Sequence, residues 1–478
     1  MDGILNMVSS ILSTFGAAVF VPVMLFIIAL LMGINRKKAF SSALLCAVGL
    51  TGFNLVINSY GGIISPVVHQ MVKNAGVNLP ILDTGWQSTS IIAYSTNIGL
   101  IFFGLAILIQ LGLFFLKWTN VFMVSDLWNN YSFMVWGSML YLLTGNLWLA
   151  LLLMIVQNLY ILLFSEIAAK RWSTYYQYPN CCMTAPHHLE SLPFAVLMNI
   201  VLSKFGFNNI KLNAAELQKK FGVLGEPMFI GMVVGAVVAI ISGYNKLGEL
   251  ATWGVVTTSA ISTASVMAVF PKIAGIFASA FTTLTDAYKK KAKESGRGRE
   301  WYLSVNDAVG YGEPNTLVTG IILIPIMLMI AFILPGNQTL PMLDLVALPY
   351  MVEVFVAISN GNIAKSIVSG TIWFSIGLLV CSVVSPYFTQ VVAQVNPDLT
   401  KGGLMIISFG IMAHPLIALA FLGFLTNNPV IIGGIIVLYF VLYAVFKRYK
   451  VQIVEFLEKC NENTAEIKQV TPERIGLD

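Results

Sequence analysis

The chain has 478 residues, 57% of them hydrophobic and only 10% charged, with a mean hydropathy of +0.81 and a formal net charge of +5. Soluble domains carry about 25% charged residues, so this composition cannot furnish a water-facing surface and describes an integral membrane protein. The small basic surplus sits largely in loops, which fits anchoring by the positive-inside bias and argues against nucleic-acid binding.

Apolar runs of about 17–25 residues, the length that spans a bilayer, recur from end to end. In chain order they cover 15–33, 40–57, 91–116, 147–167, 228–242 with its flanks, 250–270, 316–334, 340–358, 366–384, 405–425 and 430–446. Shorter or more polar segments near 121–145, 180–203 and 273–286 bring the expected total to about ten to twelve helices of an all-α polytopic protein. The first run has no basic segment before it and reads as a span, not a cleaved leader. Arg36-Lys37-Lys38, Lys170-Arg171, the run 289–299 and Lys447-Arg448 with Lys450 are placed in the cytoplasm. Residues 1–446 thus form the transmembrane domain, and 447–478, mixed in charge and without apolar periodicity, a cytoplasmic tail. The cysteines (Cys46, Cys181, Cys182, Cys381, Cys460) are scattered and read as thiols.

A faint repeat recurs at an offset near 320: Ser65-Pro66 with Gln70 matches Ser385-Pro386 with Gln390, and Ile92-Ala93 falls near Met412-Ala413. It suggests repeat-like halves at about 15–120 and 335–446, of opposite orientation, with a substrate held at their interface.

Polar side chains are costly inside a bilayer, about 2.5–3.5 kcal/mol for an ionised group on insertion scales, so each cluster needs a reason. LDTGWQSTS (82–90) carries Asp83, Trp86, Ser88 and Thr89 and suits a re-entrant segment lining a cavity. VSDLWNNYS (124–132) puts Asp126 and Asn130 four apart on one helical face, with Asn129 beside them. TAPHHLES (184–191) sets His187 and His188 next to Glu190, and SVNDAVGYGEPNT (304–316) holds Asn306, Asp307 and Glu313 before another apolar run. Helix capping is the plain alternative for Asp83 and for Glu226 of a second Gly-Glu-Pro. His69 and His414 read as satisfied polar residues. A metal site is not expected: adjacent histidines diverge on a helix or strand, and no HExxH or CxxC completes a ligand set. Imidazoles with a carboxylate suit a polyol better, since together they donate to and accept from hydroxyls. Nucleotide-hydrolysing, hydrolase and dinucleotide motifs are missing, so energy for transport must come from an ion gradient or a partner.

At these stretches the chain resembles the membrane (IIC) component of the galactitol family of the bacterial phosphoenolpyruvate-dependent phosphotransferase system. The matching residues are Asp83-x-Gly85-Trp86, Asp126-x-Trp128-Asn129, Pro186-His187, KLNAAELQKKFGVLGEP at 211–227, Gly243-Tyr244, Pro271-Lys272 and PGNQTLP at 335–341 followed by Asp344. The resemblance implies a bacterial cell-membrane permease that carries a polyol inward while a separate cytoplasmic IIB protein, charged at a cysteine by a IIA protein, phosphorylates it. It implies a homodimer of about eleven helices, in which a core with two re-entrant hairpins moves against a V-shaped dimerisation domain. Carried onto this chain, the family's i,i+4 polar pair falls on Asp126 and Asn130, its histidine loop on His187 and His188, and its second acid on Asp307. We expect Asp126, Asn129, Asn130, His187 and Asp307 to bind the hydroxyls, with Trp86, Ser88 and Thr89 closing the site from the re-entrant stretch. No cofactor or catalytic group is expected. Family members carry Pro-His-Gly where this chain has Pro186-His187-His188 and lack its Gly-Glu-Pro at 312–314, which makes His188, Glu190 and Glu313 candidates for subgroup specificity. Cys181 and Cys182 lack a glycine-rich anion loop, so the phosphocysteine must lie on the separate IIB protein. The alternatives are an ion-coupled polyol transporter with Asp126 or Asp307 as the ion site, and a membrane metalloenzyme.

Overall fold

The computed structural model describes residues 33–75, 79–94, 97–125, 130–210, 212–295, 301–400 and 405–459, with isolated positions between 19 and 30. Among the described residues, five helices are long and apolar enough to cross a membrane: Leu147–Tyr176, Leu250–Val269 within Leu250–Ser295, Pro314–Ile333, Ile363–Val395 and Pro429–Lys459. Ala214–Leu224 and Pro227–Ser242, bent by 73°, add a sixth if counted as one. Local chemistry sets their starts. Asn146, Glu313 and Asn362 each cap the helix that follows, accepting the backbone N–H of Leu149, Thr316 and Lys365. Pro314 occupies the first turn behind Glu313, where its missing N–H costs nothing.

Three expected spans take another form. The run 91–116 is shared between helices Trp86–Tyr94 and Asn97–Phe115. The run 340–358 breaks into a strand end, a 3-10 turn at Leu343–Ala347 and two short helices, Leu348–Met351 and Glu353–Ile358. The run 405–425 becomes a strand, a single turn at Phe409–Met412 and helix Pro415–Leu425. Their apolar side chains are buried in protein: Leu348, Val352, Val356, Phe409 and Phe421 have no exposed surface. Hydropathy cannot distinguish a lipid-facing run from a protein-buried one, which is why these segments read as spans. At the C-terminal end the helix starting at Pro429 runs on to Lys459 through a bend at Tyr449, so the boundary expected at 447 falls inside it. Lys447 and Lys450 there reach Glu166 at 3.2 and 2.8 Å.

Among the described residues, the helices are joined by something an all-α expectation omits: six short strands in two parallel three-stranded sheets. They are β1 (Ile81–Asp83), β2 (Val121–Phe122), β3 (Cys181–Met183), β4 (Tyr302–Val305), β5 (Thr339–Leu340) and β6 (Met405–Ile407). The orders are β5-β1-β6 and β2-β4-β3, so the central strand of each sheet comes from the part of the chain that supplies the edges of the other. In register, Ile81 lies between Thr339 and Met405, and Leu303 lies opposite both Phe122 and Cys181. Matching central strand to central strand and edge to edge, β1 and β4, β2 and β5, and β3 and β6 are each separated by about 220 residues, a shorter interval than the 320 of the Ser-Pro matches. Those matches fall in two long proline-containing helices, Arg36–Ala75 and Ile363–Val395, where local similarity needs no repeat.

Two carboxylates tie the first sheet together. Asp83, at the end of β1, accepts the N–H groups of Gly85 and Phe409 on Oδ1 and of Met342 and Asp344 on Oδ2, at 2.8–3.1 Å. Asp344 returns the contact, taking the N–H groups of Trp86 (3.0 Å) and Gly410 (2.8 Å) and the hydroxyl of Ser408 (2.6 Å). Non-helical backbone is tolerated at membrane depth only where protein satisfies it, and these acids satisfy it for the three segments leaving β1, β5 and β6. Capping therefore describes only part of what Asp83 does.

Helices Arg36–Ala75, Pro227–Ser242 and Leu250–Ser295 pack closely on one another, and the last two also meet helix Pro314–Ile333. Gly231 and Gly235 permit the close approach: a Cβ at Gly235 would stand 2.6 Å from the Ser259 carbonyl.

Asp83→Ala leaves four buried N–H donors without an acceptor, at about 1–3 kcal/mol each. The variant is expected to unfold or aggregate in mild detergent, while Asp344→Asn, which keeps an acceptor oxygen, loses only several degrees of melting temperature. Wild-type melting behaviour for Asp83→Ala would refute this role.

Candidate functional site

The second sheet positions the polar groups. The hydroxyls of Thr184 and Ser304 hydrogen-bond at 2.5 Å and hold β3 against β4, where Met183 pairs with Val305. The chains leaving these strands then bring His187 and Asp307 together, with Nε2 to Oδ2 at 2.7 Å. The two residues are 120 apart in sequence and both buried. A carboxylate only accepts, so Nε2 carries hydrogen, and in the neutral ring Nδ1 keeps its lone pair. Nδ1 of His187 has no partner among the described residues.

His188 lies alongside, its ring centroid 4.8 Å from that of His187 and the planes 46° apart. Neighbouring residues on a helix are separated by about 100° of rotation, which underlies the expectation that the two histidines diverge. Here they occupy a single turn, Pro186–Leu189, and their rings swing toward each other. His188 is completely buried, and neither ring nitrogen has a partner among the described residues. Leaving such a group unsatisfied costs about 1–3 kcal/mol, so the histidine pair and Asp307 form an incomplete hydrogen-bonding set that a ligand can complete.

Glu190 is already committed. Its Oε1 lies 3.2 Å from Nδ1 of His414 and its Oε2 accepts the N–H of Ile417 at 3.0 Å, at the start of helix Pro415–Leu425. Nε2 of His414 faces the Gly410 carbonyl at 3.2 Å. A carbonyl can only accept, so His414 and Glu190 meet either as imidazolium with carboxylate or as imidazole with carboxylic acid, neutral overall in both forms. Because Gly410 donates to Asp344, this pair links the histidine turn of one sheet to the carboxylate knot of the other.

The remaining candidates are placed differently. Ser88 donates to the Gly85 carbonyl (2.7 Å) and Thr89 to the Trp86 carbonyl (2.6 Å), so both hydroxyls turn back on their own helix start. Trp86 is half-buried, its backbone N–H held by Asp344. Glu313 caps helix Pro314–Ile333 through the N–H and hydroxyl of Thr316 and the amide of Asn315. Asp126 and Asn129 lie outside the described residues, as does the side chain of Asn130, whose backbone begins helix Asn130–Thr144.

Sequence reasoning misses Glu353. It is fully buried, lies 3.5 Å from the indole nitrogen of Trp172, and has one carboxylate oxygen without a partner among the described residues. The space where Gly310 would carry a Cβ is filled by this carboxylate, so Glu353 stands beside the short helix that follows Asp307. A lone acid in the apolar run 340–358 is the available signal, since such a residue is costly in lipid.

His187, His188 and Asp307 also offer three donor atoms within 4.8 Å of one another. That spacing is compatible with ligands about 2.0–2.2 Å from an ion, but the pair Nε2 with Oδ2 is joined by a hydrogen bond that an ion would have to break. The donor set therefore suits hydroxyl groups in its present geometry.

The sequence matches the family model described as the sugar-specific permease component of the phosphotransferase system over residues 10–402. It is similar to the galactitol-specific EIIC component of Escherichia coli strain K12, 28% identical over 426 residues, covering 88% of this chain and 92% of that protein. The same figures hold for the galactitol-specific component of Escherichia coli O157:H7. A putative permease IIC component of strain K12 is 28% identical over 376 residues, covering 78% of this chain and 84% of its own length.

Glu190→Ala strands the Ile417 N–H and leaves His414 without its carboxylate, a loss of about 3–5 kcal/mol for breaking a buried pair. Thermal unfolding in detergent is expected to shift down by several degrees. An unchanged transition would show that Glu190 is not structural.

Proposed function

Because the chain belongs to the family of sugar-specific permease components (EIIC-GAT) of the phosphotransferase system, we propose that it binds galactitol or a related polyol and carries it inward for phosphorylation by a separate IIB protein, itself charged by IIA. The observation that carries this reading is the buried His187–His188–Asp307 cluster, with three ring nitrogens left unpartnered among the described residues. A polyol presents adjacent hydroxyls, each donor and acceptor, and matches such a set better than an ion or an apolar ligand. Asp126, Asn129 and Asn130 join the site by family resemblance, Trp86 closes it, and Glu353 backs the Asp307 turn.

Cys181 and Cys182 are buried within β3, which supports supply of the phosphoryl group by a partner's cysteine. The exchanged central strands support two inverted repeats, which we place at the strand interval near 220. The mutual packing of Arg36–Ala75, Pro227–Ser242 and Leu250–Ser295 supports a dimerisation domain against which the sheet-bearing core moves as an elevator, in an arrangement of about eleven helices. Phosphorylation changes the product's charge, so it no longer fits the site and uptake runs one way.

In proteoliposomes, galactitol is expected to accumulate as its phosphate only when phospho-IIB is present on the cytoplasmic side. Accumulation of unmodified polyol under a pH gradient without IIB would establish the ion-coupled alternative instead. His188→Ala is expected to weaken galactitol binding at least about tenfold, the equivalent of about 1.4 kcal/mol. Calorimetry giving wild-type affinity would remove His188 from the site.

A further inference from the structure

We propose that His187 is the general base for phosphorylation, taking the proton of the polyol hydroxyl as that hydroxyl attacks the partner's phosphocysteine, with Asp307 as its positioning residue. The proposal rests on the permease reading above and assigns this chain a chemical role beyond binding and transport. Its basis is the asymmetry of the His187 ring. Nε2 is held by Asp307 Oδ2 at 2.7 Å, whereas Nδ1 is buried and without a partner among the described residues. A carboxylate that fixes one ring nitrogen as donor leaves the other as a lone-pair acceptor and stabilises the imidazolium that forms on proton uptake. A ring that served only to tie two segments together would have no need of a second nitrogen left without a partner among the described residues.

The sheet makes this orientation rigid. Asp307 follows β4 and His187 follows β3, whose registers are fixed by the Thr184–Ser304 hydrogen bond and the Met183–Val305 pairing. His188, 4.8 Å from His187 and unpartnered at both nitrogens, can hold a neighbouring hydroxyl of the same polyol and so orient the reacting one. Among the described residues, the titratable groups facing His187 are Asp307, His188 and His414, whose ring centroid is 6.3 Å away. Glu190 acts on it through His414, and Glu353 lies behind the Asp307 turn.

The step balances. The hydroxyl O–H bond breaks as its oxygen forms a bond to phosphorus. The P–S bond of phospho-IIB breaks with the electron pair leaving on sulfur as thiolate, and the proton resides on Nδ1 of His187. That proton passes to water when the site opens to the cytoplasm, restoring the imidazole. Phosphoryl transfer is dominated by positioning and electrostatics, so the base contributes a factor and not the whole acceleration.

The test uses the full-length protein in proteoliposomes with phospho-IIB and galactitol. His187→Gln keeps a donor and an acceptor but cannot take a proton. It is expected to bind galactitol within a few-fold of wild type while turnover at saturating galactitol falls about 100-fold, in the range for loss of a general base. The acid limb of the wild-type pH–rate profile is expected to vanish in this variant. Asp307→Asn is expected to lower turnover in the same direction by a smaller factor, and it reads the same split if His187→Gln fails to fold. A variant that raises KM while leaving kcat at the wild-type value would show His187 to be a ligand only and overturn the proposal. Wild-type protein with no phospho-IIB-dependent turnover at all would instead overturn the permease reading.

Discussion

The architecture depends on satisfying irregular backbone inside a protein that spans a membrane. Asp83 and Asp344 do this for the segments leaving β1, β5 and β6, each carboxylate accepting from the chain that carries the other. Water is scarce in such an interior, and an unpaired N–H group there costs several kcal/mol. With that knot in place the chain can turn sharply, pair briefly as sheet and start new helices without exposing polar backbone to lipid.

The second sheet answers the same problem with a different outcome. There the ordering hydroxyls of Thr184 and Ser304 sit at the strand ends, and beyond them His187 Nδ1 and both ring nitrogens of His188 have no partner among the described residues. The Glu190–His414 pair and the Gly410 bond to Asp344 join the two in one chain of hydrogen bonds.

Much of this was legible in the residues. The cost of a polar group in lipid pointed to 82–90 and 184–191 and to Asp307, and the motif matches pointed to the family now matched over residues 10–402. The meeting of His187 with Asp307 was not legible, because two residues 120 apart are joined only through the pairing of β3 with β4. Glu190 looked like a ligand beside two histidines, yet both of its oxygens are taken by groups more than 220 residues away. Nor was it legible that the hydroxyls of Ser88 and Thr89 donate to the carbonyls three residues upstream, at Gly85 and Trp86.

Composition alone determined that the chain lies in a membrane, since a tenth of charged residues cannot clothe a soluble surface. Local chemistry determined where several helices begin, through Asn146, Glu313 and Asn362. Only the tertiary structure decided which apolar runs cross as straight helices and which break within the protein interior, because both are equally hydrophobic. It alone decided which buried polar groups are spent on the fold and which remain open, because that depends on partners contributed by distant strands.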